Sequence, residues 1–322
     1  MTTSETEGVP CVVFFGMSGV FSALPLAALL DAGLDVRAVV LPALAGPGSG
    51  VDTIRRLAPA TAARRRLALL TPATPSTREL AAAHGVAVFE VGDLRAAETL
   101  ATLAAFEPDA IAVACFPWRL PAEVLRLPRL GCLNVHPSLL PENRGPDPLF
   151  WTFRHGDAET GVSIHLMEAA LDSGPVLAQE RIAVPEGTGE ARLERDCAIV
   201  GGELLAASVR ALAAGTAERT AQDERRATHF GFPSAADYEI TPDRPARWAY
   251  RFATGVIARG VPVIARIAGH QFRVRGALGY EAEGTLDAPF QLQGDVLALQ
   301  CAPGIFVARV VPPGDNSDAP PG

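Results

Sequence analysis

The stretch that decides the fold is DAIAVACFPWRLPAEVLRLPRLGCLNVH, residues 109–136. It contains two short apolar runs, DAIAVACF and GCLNVH, joined by a segment rich in leucine and proline. Continuous apolar runs of this length are typical of strands that are buried on both faces of a parallel sheet. The stretch therefore predicts two central strands of an α/β fold.

The same pattern extends over the first two thirds of the chain, where short apolar runs alternate with helical patterns. This alternation predicts a doubly wound, mostly parallel α/β sheet. The further strand candidates are CVVFFG (11–16), VRAVVL (36–41), RLALL (66–70) and VAVFEV (86–91). The helix candidates are FSALPLAALLDAG (21–33), STRELAAAHG (76–85) and LRAAETLATLAAFEP (94–108).

The pattern changes downstream. TGVSIHLM (160–167) and GPVLAQERIAV (174–184) alternate apolar and polar residues, which predicts an antiparallel pair, and a long helix over residues 188–214 follows. After Pro245 short runs separated by turns predict a small β-barrel or sandwich. These runs are VPVIARIAG (261–269), HQFRVRGAL (270–278), AEGTLDA (282–288), GDVLALQCA (294–302) and GIFVARVV (304–311).

These changes of pattern suggest five segments. The lead and the tail are polar or rich in proline and glycine, so we expect them to be disordered. The expected segments are a lead over 1–10, an α/β domain over 11–215, a linker over 216–243, a β-rich domain over 244–312 and a tail over 313–322.

The composition limits the class of protein. No apolar run reaches the length of a membrane span, and the N-terminus lacks the features of a secretion signal, so we expect a cytoplasmic protein without a membrane partner. The five cysteines are not spaced as metal ligands, and we expect no metal. GMSGVF, after the first strand, is not a G-x-G-x-x-G motif, which argues against a dinucleotide oxidoreductase.

Asn134 and His136 are the first candidate catalytic residues. Two residues apart on a strand, their side chains share a face. They stand at the carboxyl end of a predicted parallel strand, where open α/β sheets bind ligands. An amide donor beside an imidazole suits acyl-type transfer, although a turn-capping Asn and a partly solvated His would give the same short pattern. Asp172, in EAALDSGPV, could raise the pKa of the imidazole and orient it if the two meet.

Three motifs in order carry a resemblance to a known family. NVHPSLLPENRG, GDAETGVSIHLM and LDSGPVLAQERI resemble the formyltransferases that use 10-formyltetrahydrofolate. The resemblance covers roughly residues 10–210, and the C-terminal part is more weakly similar to an OB-like domain. It implies enzymatic formyl transfer from 10-formyltetrahydrofolate to an amine.

The resemblance also implies roles for individual positions. Asn134, His136 and Asp172 match the catalytic trio, in which the Asn and a protonated His would stabilise an oxyanion and the Asp would take the amine proton. The expected folate-binding residues are Phe116, Trp118, Leu120, Ser138, Leu139, Leu140, Pro141 and Glu168. Arg144 and Gly145, the Arg-Gly pair, are expected to shape the rim of the substrate site.

The sequence says less about which amine accepts the formyl group. The net charge is −8, yet the segment from Arg244 to Arg275 has seven arginines and no acidic residue, and Arg55–Arg66 is also basic. Such patches favour phosphate binding, so we expect initiator methionyl-tRNA as acceptor and partner, with Arg247, Arg251 and Arg259 as phosphate ligands. Solvated arginines on a helix or sheet are the simpler alternative. An amino-sugar nucleotide, water in a folate hydrolase, or a binding module without turnover remain alternatives.

Overall fold

The computed structural model describes residues 8–43, 51–58 and 75–311. The predicted strand RLALL, most of the basic segment Arg55–Arg66, residues 1–7 of the predicted lead and the whole predicted tail lie outside these residues. The chain divides into two compact units. The first comprises the described residues up to Pro146, Thr160–Ile182 and Glu194–His229, and the second comprises Asp147–Glu159, Ala183–Leu193 and the described residues from Phe230 onward.

The eight-stranded sheet lies almost wholly in the first unit. Its strands are β1 (Cys11–Gly16), β2 (Asp35–Pro42), β3 (Ile54–Arg56), β4 (Ala87–Val91), β5 (Ala110–Ala114), β6 (Cys132–His136), β7 (Glu159–Leu166) and β8 (Val176–Ala183). Their order is β3-β4-β2-β1-β5-β6-β7-β8. The five strands from β4 to β6 are parallel, whereas β3 is antiparallel to β4 and β7 is antiparallel to β6. The predicted α/β sheet is therefore confirmed.

Short stretches of sequence explain where several of the strands and helices form. Strands β1 and β5 are buried along their whole length, which explains why both runs are continuously apolar. The helices along the chain are α1 (Val20–Asp31), α2 (Thr77–Ala83), α3 (Ala97–Ala104), α4 (Ala122–Leu125), α5 (Pro148–His155), α6 (Glu190–Ala213) and α7 (Ala246–Val256). Helix α2 begins at a capping box in which Ser76 and Glu79 bond each other's backbone N–H groups.

The second unit contains a six-stranded sheet in the order β12-β13-β14-β11-β10-β9. Its strands are β9 (Glu239–Ile240), β10 (Val263–Ile267), β11 (His270–Glu281), β12 (Phe290–Gln293), β13 (Val296–Gln300) and β14 (Ile305–Val310). The strand predicted over 282–288 is wrong, because strand β12 begins only at Phe290. Helix α7 was not predicted; it packs on β11 and β14 and buries Trp248, Phe252 and Val256, spaced four residues apart.

The units differ from the predicted segments. Helix α5 and residues Ala183–Leu193 group with the β-rich unit, although both fall inside the predicted 11–215 domain. Part of the predicted linker belongs to the first unit, where Thr220 exchanges two backbone hydrogen bonds with Val176 of β8. None of the described helices is both long and apolar enough to cross a membrane.

Candidate active site

The site begins where β6 ends. Asn134 and His136 alternate along β6, and the antiparallel register sets them opposite His165 and Ser163 of β7. All four residues therefore project from one face, because side chains two residues apart on a strand point the same way. This edge of the sheet holds the carboxyl ends of the parallel strands, as the sequence predicted.

The amide of Asn134 is oriented by a histidine. Its Nδ2 donates to Nε2 of His165 over 3.1 Å. Nδ1 of His165 lies 3.0 Å from the carbonyl oxygen of Leu166, which only accepts, so Nδ1 carries the proton and Nε2 is left as the acceptor. In the described part of the chain, no other side-chain hydrogen bond involves the Asn134 amide, which leaves its second N–H available.

His136 is buried, with 4% of its surface exposed, and its Nε2 donates to the carbonyl oxygen of Asn143 over 2.9 Å. Burial lowers the pKa of His136 below its ordinary value of 6.5, and the attraction of Asp172 only partly offsets this effect. The imidazole at rest is therefore neutral at pH 7. This differs from the protonated state expected from the resemblance, because the sequence did not reveal how completely the ring is desolvated.

Asp172 faces both imidazoles. Its Oδ2 lies 3.8 Å from Nδ1 of His136, and its Oδ1 lies 3.6 Å from Nε2 of His165. The backbone N–H of Gly145 donates to Oδ2 over 2.9 Å. Burial alone would raise the pKa of Asp172, but His136, His165 and the Gly145 donor together lower it to about 2. The carboxylate is therefore ionised at neutral pH.

The structure thus brings the three predicted catalytic side chains together. An amide N–H, a neutral imidazole and a carboxylate meet at the end of β6. The amide can stabilise an oxygen that gains negative charge, and the imidazole and the carboxylate can hold one proton between them. This chemistry suits acyl transfer to an amine.

The predicted folate-binding residues divide into two groups. Phe116 and Trp118 are partly exposed at the end of β5, and their ring centroids are 5.6 Å apart in an edge-to-face arrangement. Leu139 is partly buried and Glu168 is exposed. The other four predicted side chains are buried: Leu120, Ser138, Leu140 and Pro141.

The loop after β6 is held from inside the unit. Ser163 donates from Oγ to the carbonyl oxygen of Ser138 over 2.6 Å and accepts from the N–H of Leu140 over 3.0 Å. Gln179 donates to both the Ser163 hydroxyl and the Leu140 carbonyl oxygen over 2.8 Å. The Ser138 hydroxyl donates to the carbonyl oxygen of Glu142 over 2.6 Å. Ser138 and Leu140 therefore shape this loop, and its more exposed atoms are left for a ligand.

The four arginines predicted at the acceptor site have different surroundings. Arg144 is 2% exposed and binds Gln222 and Glu224. Arg251 is 9% exposed and donates to the carbonyl oxygens of Asp157 and Val184.

Arg259 binds both Asp147 and Glu190 through ion pairs whose side chains are partly buried, each 16–18% exposed. To contact a phosphate, Arg251 and Arg259 would have to give up these partners, and their predicted phosphate-binding roles stay predictions. Arg247 is 61% exposed and pairs with Glu186, so its predicted role stays a prediction.

Sequence reasoning missed His165, Gln222 and the hydrogen bond from the backbone N–H of Gly145, a residue expected at the rim, to Asp172. The signal for His165 was available, because Ser163 and His165 alternate in GVSIHL as Asn134 and His136 do in LNVH. The other two contacts are made by loops, and no periodic pattern in the sequence shows that these loops come close to the site. Among the described residues, no cluster of three or more His, Cys, Asp or Glu could hold a metal ion.

Comparisons with known proteins identify the family. A formyl transferase family model matches residues 53–209. The methionyl-tRNA formyltransferase of Synechococcus sp. (strain JA-3-3Ab) is 34% identical over 237 residues, which are 73% of this chain and 72% of that protein. The methionyl-tRNA formyltransferase of Pseudomonas paraeruginosa is 32% identical over 244 residues, 74% of this chain and 77% of that one.

The fold also has solved counterparts. The crystal structure of WlaRD, a sugar 3N-formyl transferase in the presence of dTDP and 5-N-formyl-THF, is similar with a TM-score of 0.65. The identity is 11%, and the match covers 95% of this chain and 99% of that one, so it is a likeness of fold alone. The matching family model, the two relatives and the fold lead to one conclusion: this chain belongs to the formyl transferase family.

Proposed function

We propose that this protein transfers a formyl group from 10-formyltetrahydrofolate to the amino group of initiator methionyl-tRNA. The observation that carries the proposal is the convergence of Asn134, His136 and Asp172 at the carboxyl edge of the parallel strands. Two relatives named methionyl-tRNA formyltransferase, each at least 32% identical over more than 70% of the chain, support this choice of acceptor. With this acceptor, the protein would act in the cytoplasm.

The surroundings of the trio fit a reduced folate. Phe116 and Trp118 offer partly exposed aromatic rings at the end of β5, next to the strand that carries Asn134. The loop of residues 138–141 begins two residues after His136 and is held by two hydrogen bonds of Ser163. These two segments would hold the pterin. When bound, the folate supplies a formyl carbon that is activated towards an amine.

The residues of the chain then have distinct tasks. The second N–H of Asn134 donates to the formyl oxygen as that atom gains negative charge, a contribution worth roughly two to three orders of magnitude in turnover. Nδ1 of His136, unprotonated at rest and facing Asp172, accepts the proton that the acceptor amine releases. The ionised Asp172 stabilises the imidazolium so formed, which would return the proton to the folate nitrogen as its bond to the formyl carbon breaks.

The test supplies the purified protein and 10-formyltetrahydrofolate with initiator methionyl-tRNA, an amino-sugar nucleotide, or water alone. We expect rapid formylation of the tRNA and little turnover with the other two. If only the sugar nucleotide is formylated, the proposed acceptor is wrong, but the proposed formyl-transfer chemistry holds. Release of formate alone would indicate a hydrolase, and no turnover with any acceptor would overturn the proposal.

A pair of histidine variants tests the chemistry. His136→Ala should abolish transfer and leave folate binding nearly unchanged, because the imidazole handles the proton and does not hold the pterin. His270→Ala is the matched control, since His270 is exposed in the second unit. Unchanged turnover of His136→Ala would contradict the mechanism.

A further inference from the structure

The segment Thr220–His229, here called the strap, bonds to both loops of the site. At one end, Thr220 exchanges backbone hydrogen bonds of 2.8 and 2.9 Å with Val176, shortly after Asp172 in the chain. At the other end, the backbone of Thr228 accepts from the N–H of Arg144 over 2.9 Å, and its hydroxyl accepts from the N–H of Asn143 over 2.8 Å. The strap therefore spans from the Asp172 loop to the loop that follows His136.

Gln222 lies between these two ends and uses all of its amide atoms. Its Nε2 donates to the carbonyl oxygens of Asp172, over 2.8 Å, and Gly174, over 2.7 Å. Its Oε1 accepts from Nε of Arg144 over 3.1 Å and from Nη2 over 2.7 Å. Carbonyl oxygens only accept and a guanidinium only donates, so these partners leave a single orientation for the amide.

Asp172 needs such support. Its φ is +53°, in the left-handed region that a non-glycine residue adopts at a cost of about 1–2 kcal/mol. Its side chain is held by the N–H of Gly145, on the same loop as Asn143, whose carbonyl oxygen accepts from His136. The backbone of Asp172 is held by Gln222, and the orientation of Gln222 is held by Arg144.

We propose that Gln222 is a positioning residue for formyl transfer: it fixes the backbone of Asp172 and links it, through Arg144, to the loop that orients His136. This inference rests on the proposed function, because it assigns Gln222 an effect on the carboxylate that the reaction uses. Arg144 completes the link, since its guanidinium is buried and also forms a bidentate pair with Glu224 at 2.7 and 2.9 Å.

Two substitutions at one position separate the contacts. Gln222→Glu keeps an acceptor for Arg144 but replaces the two N–H donors with an oxygen that faces two carbonyl groups. Gln222→Leu removes both sets of bonds. We expect either variant to lower kcat at least about 10-fold and to change KM for the folate by less than about twofold, since a displacement near 1 Å can cost 10²-fold in rate.

The control is Arg225→Ala in the same strap. Its side chain is 89% exposed and, among the residues that the structure describes, bonds only Asp223, so kcat should stay within about twofold of wild type. Thermal unfolding checks that each variant is folded, and if Gln222→Leu does not fold, Gln222→Glu carries the test. A purely structural residue would lower the fraction of folded protein without changing the turnover per folded molecule.

A double variant shows whether Gln222 acts through Asp172. Adding Gln222→Leu to Asp172→Asn should reduce single-turnover transfer by less than about twofold, because the group that Gln222 positions is already lost. An undiminished 10-fold loss in that background, or unchanged kcat in both single variants, would overturn the inference. If the wild type transfers formyl groups and, of these single variants, only Asp172→Asn loses activity, the inference about Gln222 is wrong and the proposed function stands. If the wild type itself is inactive, the proposed function is wrong.

Discussion

The side-chain amide of Asn134 is held by His165, its cross-strand partner, through a hydrogen bond of 3.1 Å. The ring of His165 is itself fixed by a 3.0 Å bond from Nδ1 to the carbonyl oxygen of Leu166. The direction of the second Asn134 N–H is therefore set by the pairing of β6 with β7. A donor that is fixed before substrate binds is what makes an oxyanion site effective.

Replacing His165 should weaken catalysis, although the Asn134 donor itself remains. We expect His165→Leu to lower kcat by roughly 10- to 100-fold, less than the roughly 10²- to 10³-fold expected for Asn134→Ala. Steady-state kinetics with the folate and the acceptor measure both variants, and His84→Ala, at an exposed histidine, is the control. A His165→Leu enzyme with full kcat would show that Asn134 is oriented by other means.

Acid should destabilise the protein in a range set by His136. Because its folded pKa lies below the ordinary 6.5, the unfolded chain binds a proton that the folded chain does not, so stability falls as pH drops below about 6.5. Asp172, with a pKa lowered from 3.8 to about 2, adds a second loss below pH 4. We expect the melting temperature to fall between pH 7 and pH 5, and to fall less in His136→Gln. Equal pH dependence of both proteins would contradict this assignment.

The sequence predicted the parallel sheet because buried strands such as β5 leave a local record, a run of apolar residues. It also placed Asn134 and His136 correctly, since two residues on one strand need only the strand to share a face. Asp172 was found through a resemblance, because no local pattern shows that a loop 36 residues downstream of His136 folds back onto it.

Other features left a weaker record. The ion pairs of the arginines could not be predicted, since charge counts along the chain do not show which side chains have acidic partners from other segments; Arg259 pairs with Asp147 and Glu190, both outside the acid-free stretch. The sequence does contain a signal for helix α7, because Trp248, Phe252 and Val256 recur every four residues and are buried on one face of the helix.

Arg259 should prove to be a structural residue. Its guanidinium lies 2.6 Å from Asp147 and also binds Glu190, and all three side chains are less than 20% exposed. Arg259→Met would leave two carboxylates without their cation in a poorly solvated position, so we expect a loss of about 3–5 kcal/mol in unfolding free energy. Chemical denaturation measures this. A loss under 1 kcal/mol would mean that the carboxylates are solvated, and would favour the predicted phosphate contact of Arg259.

Arg247 is expected to behave in the opposite way. Its pair with Glu186 is largely exposed, so Arg247→Glu should change stability by less than about 1 kcal/mol. If Arg247 contacts a tRNA phosphate, the same variant should raise KM for the tRNA several-fold, and the dependence of log KM on log salt should lose about one unit of slope. An unaltered KM at all salt concentrations would identify the residue as ordinary surface.

Gly174 should be intolerant of any side chain, for a reason that the geometry makes explicit. A Cβ at this position would lie 1.9 Å from the carbonyl oxygen of Leu166, so the backbone itself would have to move. Gly174 also accepts a hydrogen bond from Gln222 and follows Asp172 by two residues, and such a movement would displace the carboxylate. We expect Gly174→Ala to lower kcat by at least about 10-fold, as measured by formyl transfer.

Gly279→Ala is the matched control, since its Cβ would meet no atom within 4 Å, and it should retain wild-type turnover. Equal activity of the two variants would show that the Asp172 loop adapts without cost.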